Sequence, residues 1–159
     1  MAKNYQLENI KIVEMLESDL ELLLSWRSHP DAYIFFKSQK GPLRWSEHFN
    51  FWHNRKNRVD FIIFFKESKR WRKVGSINLS RLETELPEIG IIIGEMTLHG
   101  NGIGTKALSL GLEWLKDAGY KKALAVINTK NEASKKIFSK NGFEKKHKID
   151  VWEEYTKNL

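Results

Sequence analysis

A chain of 159 residues is long enough for one well-packed core and short for two. With 41% hydrophobic and 12% aromatic residues it is not a disordered chain, and with no cysteine it has no disulfide, thiolate metal site or cysteine nucleophile. The formal net charge of +7 leans toward anionic ligands, most visibly in the lysine-rich stretch from Lys121 to Lys148, and this suits a soluble face or a phosphate-bearing ligand equally.

Residues 5–15 alternate around Ile10, Ile12 and Val13 and predict a first strand. Ser18-Asp19-Leu20-Glu21 reads as a capping box that opens a helix running to about Ser28, and His29-Pro30 ends it. Residues 31–43 read as irregular and aromatic. Ser46 is the expected cap of a second helix carrying His48, Phe49, Trp52 and His53. Residues 59–65 and 71–79 read as a hairpin turning at Glu67-Ser68-Lys69-Arg70. Glu88–Ile93 is a third apolar strand. Residues 105–118 place Leu108, Leu112 and Leu115 on one helical face, with Gly119 as terminator. A strand over 122–127, a short helix from about Asn131 to Asn141-Gly142, and a last strand over 143–153 complete the chain.

This order predicts an α/β fold, with helices on a mixed, mostly antiparallel sheet, in a single domain over 1–159. Met1-Ala2-Lys3-Asn4 is not followed by an apolar run, and 20–26 is too short and polar to span a bilayer. The expectation is a cytoplasmic protein with no membrane partner. The histidines are scattered, and His48 and His53 lack the HExxH arrangement, so no metal is expected. No RNP-type aromatic strand or double-stranded-RNA pattern is present, so a nucleic-acid partner is not expected either.

The chemistry concentrates in His99-Gly100-Asn101-Gly102-Ile103-Gly104-Thr105, between a strand and a helix. Glycines there let backbone N–H groups converge, and a helix N-terminus adds partial positive charge, a setting for phosphate or pyrophosphate. A Walker loop requires Gly-Lys-Ser/Thr at its end, whereas here Thr105-Lys106 follows Gly104. A dinucleotide fingerprint requires GxGxxG with an acidic ribose ligand after the next strand. Here the glycines run GxGxG and Asn128 stands at that place.

The loop resembles the Gln/Arg-x-x-Gly-x-Gly/Ala motif of the GCN5-related N-acetyltransferases. Asn131-Glu132-Ala133-Ser134, Phe138 and Asn141-Gly142-Phe143 are similar to that family's following segment, in the same order and spacing. The resemblance covers about 86–145, the acetyl-CoA-binding core, and leaves 1–85 as the acceptor-side half. It implies acetyl-CoA as cofactor, held by Ile92, Ile93, Leu98, His99, Gly100, Asn101, Gly102, Ile103, Gly104 and Thr105, with Asn131, Ser134 and Phe138 from the following helix. It also implies that Glu88–Ile93 splays from the strand at 122–127 to admit the pantetheine arm, with a backbone N–H near Ile92 or Ile93 for the oxyanion.

Two departures matter. His99 replaces Arg or Gln, which implies weaker or pH-sensitive cofactor binding. Phe138 replaces the Tyr that protonates the leaving thiolate in many members, so it is expected to pack beside the thioester while another donor or solvent supplies the proton. Glu88 is the first choice as general base and Glu95 the second. Direct attack by the amine is expected, since no residue offers itself as a nucleophile for a covalent acetyl-enzyme.

Arg27, Phe36 and His48 are the expected acceptor contacts. Cationic and aromatic groups together suit a nucleotide base, a sugar face and a diphosphate. The Trp-Arg-x-His-Pro and Glu-His pairs resemble the branch acting on nucleotide-linked amino-sugars. The best substrate is therefore the amine of a small molecule or nucleotide-sugar. The alternatives are acetylation of a protein N-terminus or lysine, and a non-catalytic acyl-CoA-binding or RNA-binding module. An exposed edge strand near the C-terminus offers a surface for a homodimer.

Overall fold

The computed structural model describes residues 3–159. Met1 and Ala2, which open the leader reading above, lie outside them. The elements run β1 (Tyr5–Leu7), β2 (Ile10–Glu14), α1 (Leu20–Arg27), α2 (Pro30–Tyr33), α3 (Trp45–Asn54), β3 (Val59–Glu67), β4 (Arg70–Ser80), β5 (Glu88–Ile93), α4 (Ile103–Asp117), β6 (Lys122–Asn128), α5 (Glu132–Lys140), β7 (Glu144–Ile149) and β8 (Trp152–Asn158). The eight strands form one sheet in the order β1-β2-β3-β4-β5-β6-β8-β7, antiparallel except for β5 with β6.

The expected α/β fold stands, with local corrections. The first strand is a hairpin, because Glu8 adopts a φ of 53° and breaks the run between Leu7 and Ile10. The last is also a hairpin, turned at Asp150, whose φ is 57°. The box at Ser18–Glu21 does not form. Instead the Asp19 carboxylate accepts the Leu16 N–H at 2.9 Å, and a 3₁₀ turn leads into α1. His29-Pro30 does end α1, but Pro30 then opens α2, where a missing N–H is harmless. Arg44 rather than Ser46 caps α3, since Glu47 receives the Arg44 N–H at 3.3 Å.

Alternation along the strands splits the core in two. One face carries Ile63, Ile77, Leu79 and Ile89 against Leu108 and Leu115 of α4. The other carries Ile62, with Ile92 packed against it, under Leu20, Leu23 and Trp26 of α1 and Trp52 of α3. On the first face Gly111 lets α4 settle onto the sheet: a Cβ there would meet Ile89 Cδ1 at 2.9 Å. At the end of the sheet β7 is exposed throughout. Its lysines, Lys145, Lys146 and Lys148, are the residues that discourage strand addition, so the edge gives the homodimer expectation no support.

Candidate active site

β5 and β6 meet at a single pair, Glu88 with Leu124, held by the Leu124 N–H donating to the Pro87 carbonyl at 2.8 Å. Beyond it the strands part. Hydrogen bonding alternates along a strand. The Gly94 N–H reaches Val74 O of β4 at 2.9 Å, and a Cβ on Gly75 of β4 would strike Ile92 O. Even-numbered residues of β5 therefore bond to β4, while the main-chain groups of Ile91 and Ile93 face the opening, where no strand meets them among the described residues. Of the two oxyanion donors expected above, this parity leaves Ile93 and turns the Ile92 N–H away.

A cavity of about 530 Å³ lies against the free end of β5. Ile91, Ile92 and Ile93 form one wall. Leu98, His99, Gly100, Gly102, Ile103, Gly104 and Thr105 form the head, Asn131 and Ser134 the far side, and Phe35 and Phe36 the side toward α2. Gly100 and Gly102 have φ values of 85° and 76°, which bend the chain so that α4 starts with Gly102 as its N-cap and no side-chain cap. The first N–H groups of α4 thus have no acceptor in the helix and remain for a ligand. Gly104 is different: a Cβ there would meet Ile137 Cδ1 at 2.6 Å, so this glycine serves the close approach of α5 to α4. A head of free N–H groups with two further cations, Lys136 and Lys140, suits the pyrophosphate of acetyl-CoA.

Other expected residues sit elsewhere. Asn101 turns into a smaller cleft beside Lys106 and Phe65. His99 lines the cavity, but its ring is committed: Nε2 donates to the Ile93 carbonyl at 2.8 Å and ties the loop to the end of β5. Asn131 is the N-cap of α5, accepting the Ser134 N–H at 3.2 Å, and it also borders the cavity. Phe138 is not beside the thioester position. It is 3% exposed and stacks edge-on against Phe143, with ring centroids 5.0 Å apart. Ala133, Lys136, Ile137 and Lys140 present the cavity face of α5 instead, at i, i+3, i+4 and i+7. Sequence reading missed this face, although its spacing is visible in the chain.

On the acceptor side His48 is 3% exposed and outside the cavity lining. Its Nε2 pairs with the Leu20 carbonyl at 3.1 Å, so Nε2 carries the proton. Burial, with Arg27 nearby, pulls its pKa below the usual histidine value. It is a core group, not a substrate contact. Arg27 lies outside the lining as well, with its guanidinium carbon 5.4 Å from the centroid of Phe36, which does line it.

Glu88 is half-buried at the foot of the splay. Desolvation raises its carboxyl above the ordinary range, opposed by Arg81, Lys37 and Arg58. Glu88, Gly90 and Ile92 point to the same face, and the Asn78 amide lies across the space a side chain at 90 would take. Glu95 follows the strand and is half-buried, outside the lining. Among the described residues no group of three or more His, Asp or Glu could hold a metal, and no helix is long and apolar enough to cross a membrane.

A parallel pair opened from one end, with a helix N-terminus at its mouth, is the arrangement that the resemblance to the acetyltransferases implies. Residues 9–144 match the sequence model of the family described as acetyltransferase (GNAT) domain. The chain belongs to that family: it is an acetyltransferase (GNAT) domain.

Protein MJ1062 of Methanocaldococcus jannaschii is 51% identical over 143 residues, 89% of this chain. The chain spans 30% of that relative's length. The crystal structure of a domain from the same organism superposes with a TM-score of 0.91 at 50% identity, covering 94% of this chain and 98% of that one. The aminoglycoside acetyltransferase AAC(6')-Ib in complex with ribostamycin and coenzyme A shares the fold, with a TM-score of 0.80 at 15% identity and coverage of 94% and 93%. So does RimL, the ribosomal L7/L12 alpha-N-protein acetyltransferase in complex with coenzyme A, at 0.78 and 14%, covering 99% and 98%.

Proposed function

We propose that this domain acetylates the primary amine of a nucleotide-linked amino-sugar, with Glu88 as general base. The observation that carries the reading is the place of Glu88: at the joint of the splayed strands, half-buried, on the sheet face that α1 and α3 cover. A carboxyl raised by burial is a better proton acceptor near neutral pH than an exposed one. The main-chain N–H groups of the glycine loop, with the side chains of Asn131 and Ser134 beside them, hold the phosphate end of acetyl-CoA, which brings a thioester into the gap.

The acceptor nitrogen attacks the thioester carbonyl directly. Glu88, outside the cavity lining, takes its proton through a chain of waters, and the Ile93 N–H steadies the oxyanion. The carbon–sulfur bond then breaks, leaving the acetylated amine and a thiolate. With Phe138 packed in the core, no tyrosine stands at the family position to protonate that thiolate, and solvent reaching the open gap supplies the proton. Glu95 is the second candidate base. A cytoplasmic location accords with a cysteine-free user of acetyl-CoA.

RimL is described as acting on a ribosomal protein N-terminus, and AAC(6')-Ib as binding aminoglycosides. An aminoglycoside is a polycation, an acceptor that the cations around Glu88 disfavour. The test is thiol release from acetyl-CoA with UDP- and dTDP-linked amino-sugars beside ribosomal N-terminal peptides and aminoglycosides. Turnover with the sugar nucleotides, lost when hydroxyl replaces the amine, is expected. Turnover with peptides alone moves the domain to the protein-acetylating branch.

A further inference from the structure

Arg27 presents a guanidinium without an anion. Its Nε is sealed from solvent and has no hydrogen-bond partner, and the side chain makes no ion pair among the described residues. The carboxylate within electrostatic reach, Asp60, is taken. Asp60 is 6% exposed, and it accepts from Arg58 Nη2 at 2.8 Å and Nε at 3.0 Å and lies 3.5 Å from Arg55 Nε. Two guanidinium groups therefore occupy that carboxylate, and Arg27 makes no ion pair with it. The backbone about Arg27 is rigid, because Gln39, 7% exposed, donates to the Arg27 carbonyl at 2.7 Å and to the Gly41 carbonyl at 2.8 Å. The guanidinium lies on the far side of Phe36 from the cavity lining, which Phe36 joins and Arg27 does not.

A cation withdrawn from water is unfavourable unless paired. Arg58 acts electrostatically on both Arg27 and Glu88, and Leu82 N–H bonds to the Asn57 carbonyl at 3.1 Å, which brings Arg81 to the same corner. We infer that the acceptor amine carries an anionic group of its own, a phosphate or a carboxylate, and that Arg27 is the residue that receives it. This rests on the reading of Glu88 as the amine end of the site and assigns to Arg27 the anion that such a substrate carries. It also separates the domain from enzymes of polycationic acceptors, which would add charge to an already cationic corner.

The test is calorimetric, on protein saturated with coenzyme A so that the glycine loop is filled. The probes are glucosamine 1-phosphate, 2-amino-2-deoxygluconate and glucosamine, which supply a phosphate, a carboxylate and neither. At least one anionic probe is expected to bind roughly ten- to a hundredfold tighter than glucosamine, the range of a charge-assisted pair. Arg27→Met should erase that preference while leaving coenzyme A affinity unchanged. Should Arg27→Met fail to fold, Arg27→Lys, which keeps the charge and loses the fork, should reduce the preference several-fold. Equal affinity for all three probes, failure of both anions to bind, or a preference that survives substitution of Arg27 overturns the inference. Arg27-dependent binding without thiol release leaves the anion site standing and removes the amino-sugar reading. Thiol release that is equally fast with glucosamine and its anionic analogues does the reverse.

Discussion

Gly94 lies flat against the indole of Trp26: a Cβ at position 94 would fall 2.1 Å from Trp26 Cγ. Trp26 is 5% exposed and belongs to the α1–α3 core, so the contact fixes where the end of β5 sits over that layer. Gly94→Ala must push the strand or the ring aside. Overpacking of this kind costs about 1–3 kcal/mol. Urea denaturation should show that loss, and acetyl-CoA affinity should fall with it, because Ile93 and the loop tied to it by His99 move together. An unchanged midpoint would mean the indole swings away freely.

Glu88→Gln keeps the shape of the side chain and removes the base. The turnover number is expected to fall roughly a hundred- to ten-thousandfold, with acetyl-CoA affinity retained. Because burial raises the Glu88 carboxyl, the acid limb of the wild-type rate profile should lie above the ordinary carboxylate range, and in the variant it should vanish. Stability carries a matching sign. The folded carboxyl binds its proton more tightly than the unfolded one, so Glu88 weakens the fold as pH rises through that window and above it. The variant should therefore gain stability relative to wild type at pH 8 but not at pH 4. A Glu95→Gln variant that alone abolished the acid limb would transfer the role.

Phe138→Tyr restores the residue common at this place in the family, yet no gain in rate is expected. The ring is 3% exposed and packed on Phe143, so a hydroxyl there would be buried without a partner. Such a group costs about 1–3 kcal/mol. Thermal unfolding should show the loss, and stopped-time thiol assays should show no acceleration. A rate increase would place the ring at the thioester after all.

His48 makes the fold acid-sensitive. Burial holds its folded pKa below the unfolded value, so the unfolded chain takes up the proton first as pH falls. Stability should be full above about pH 6.5, the unfolded value, and decline below it until the folded imidazole also protonates. His48→Gln can still donate to the Leu20 carbonyl and should flatten that decline between pH 7.5 and 5.5 in urea titrations.

Asn131→Ala separates capping from ligand binding. Loss of the bond to the Ser134 N–H should cost about 1 kcal/mol. Asn131→Asp keeps the cap, so if the side chain also contacts acetyl-CoA, the aspartate variant should be stable yet bind acetyl-CoA more weakly. Equal affinity in the aspartate variant would leave Asn131 as a cap alone.

The local features were legible because each depends on neighbours in sequence. Glu88–Ile93 is a continuous apolar run, the α4 stripe repeats at helical spacing, and Gly100 and Gly102 mark a loop that needs positive φ. The loop and the Asn131–Phe143 segment together were enough to indicate the family. What tertiary structure decided is which side of each element faces the cavity. Phe138 and Ile137 are adjacent in sequence, but a 100° turn per residue buries one and gives the other to the site. His48 and Arg27 both looked like acceptor contacts. The Leu20 carbonyl claims the first, and the second is left without a partner because Arg55 and Arg58 already hold Asp60. Sequence fixes a residue's chemistry and its period, while long-range packing determines whether its polar atoms are already satisfied, and that decides whether it belongs to the core or to the site.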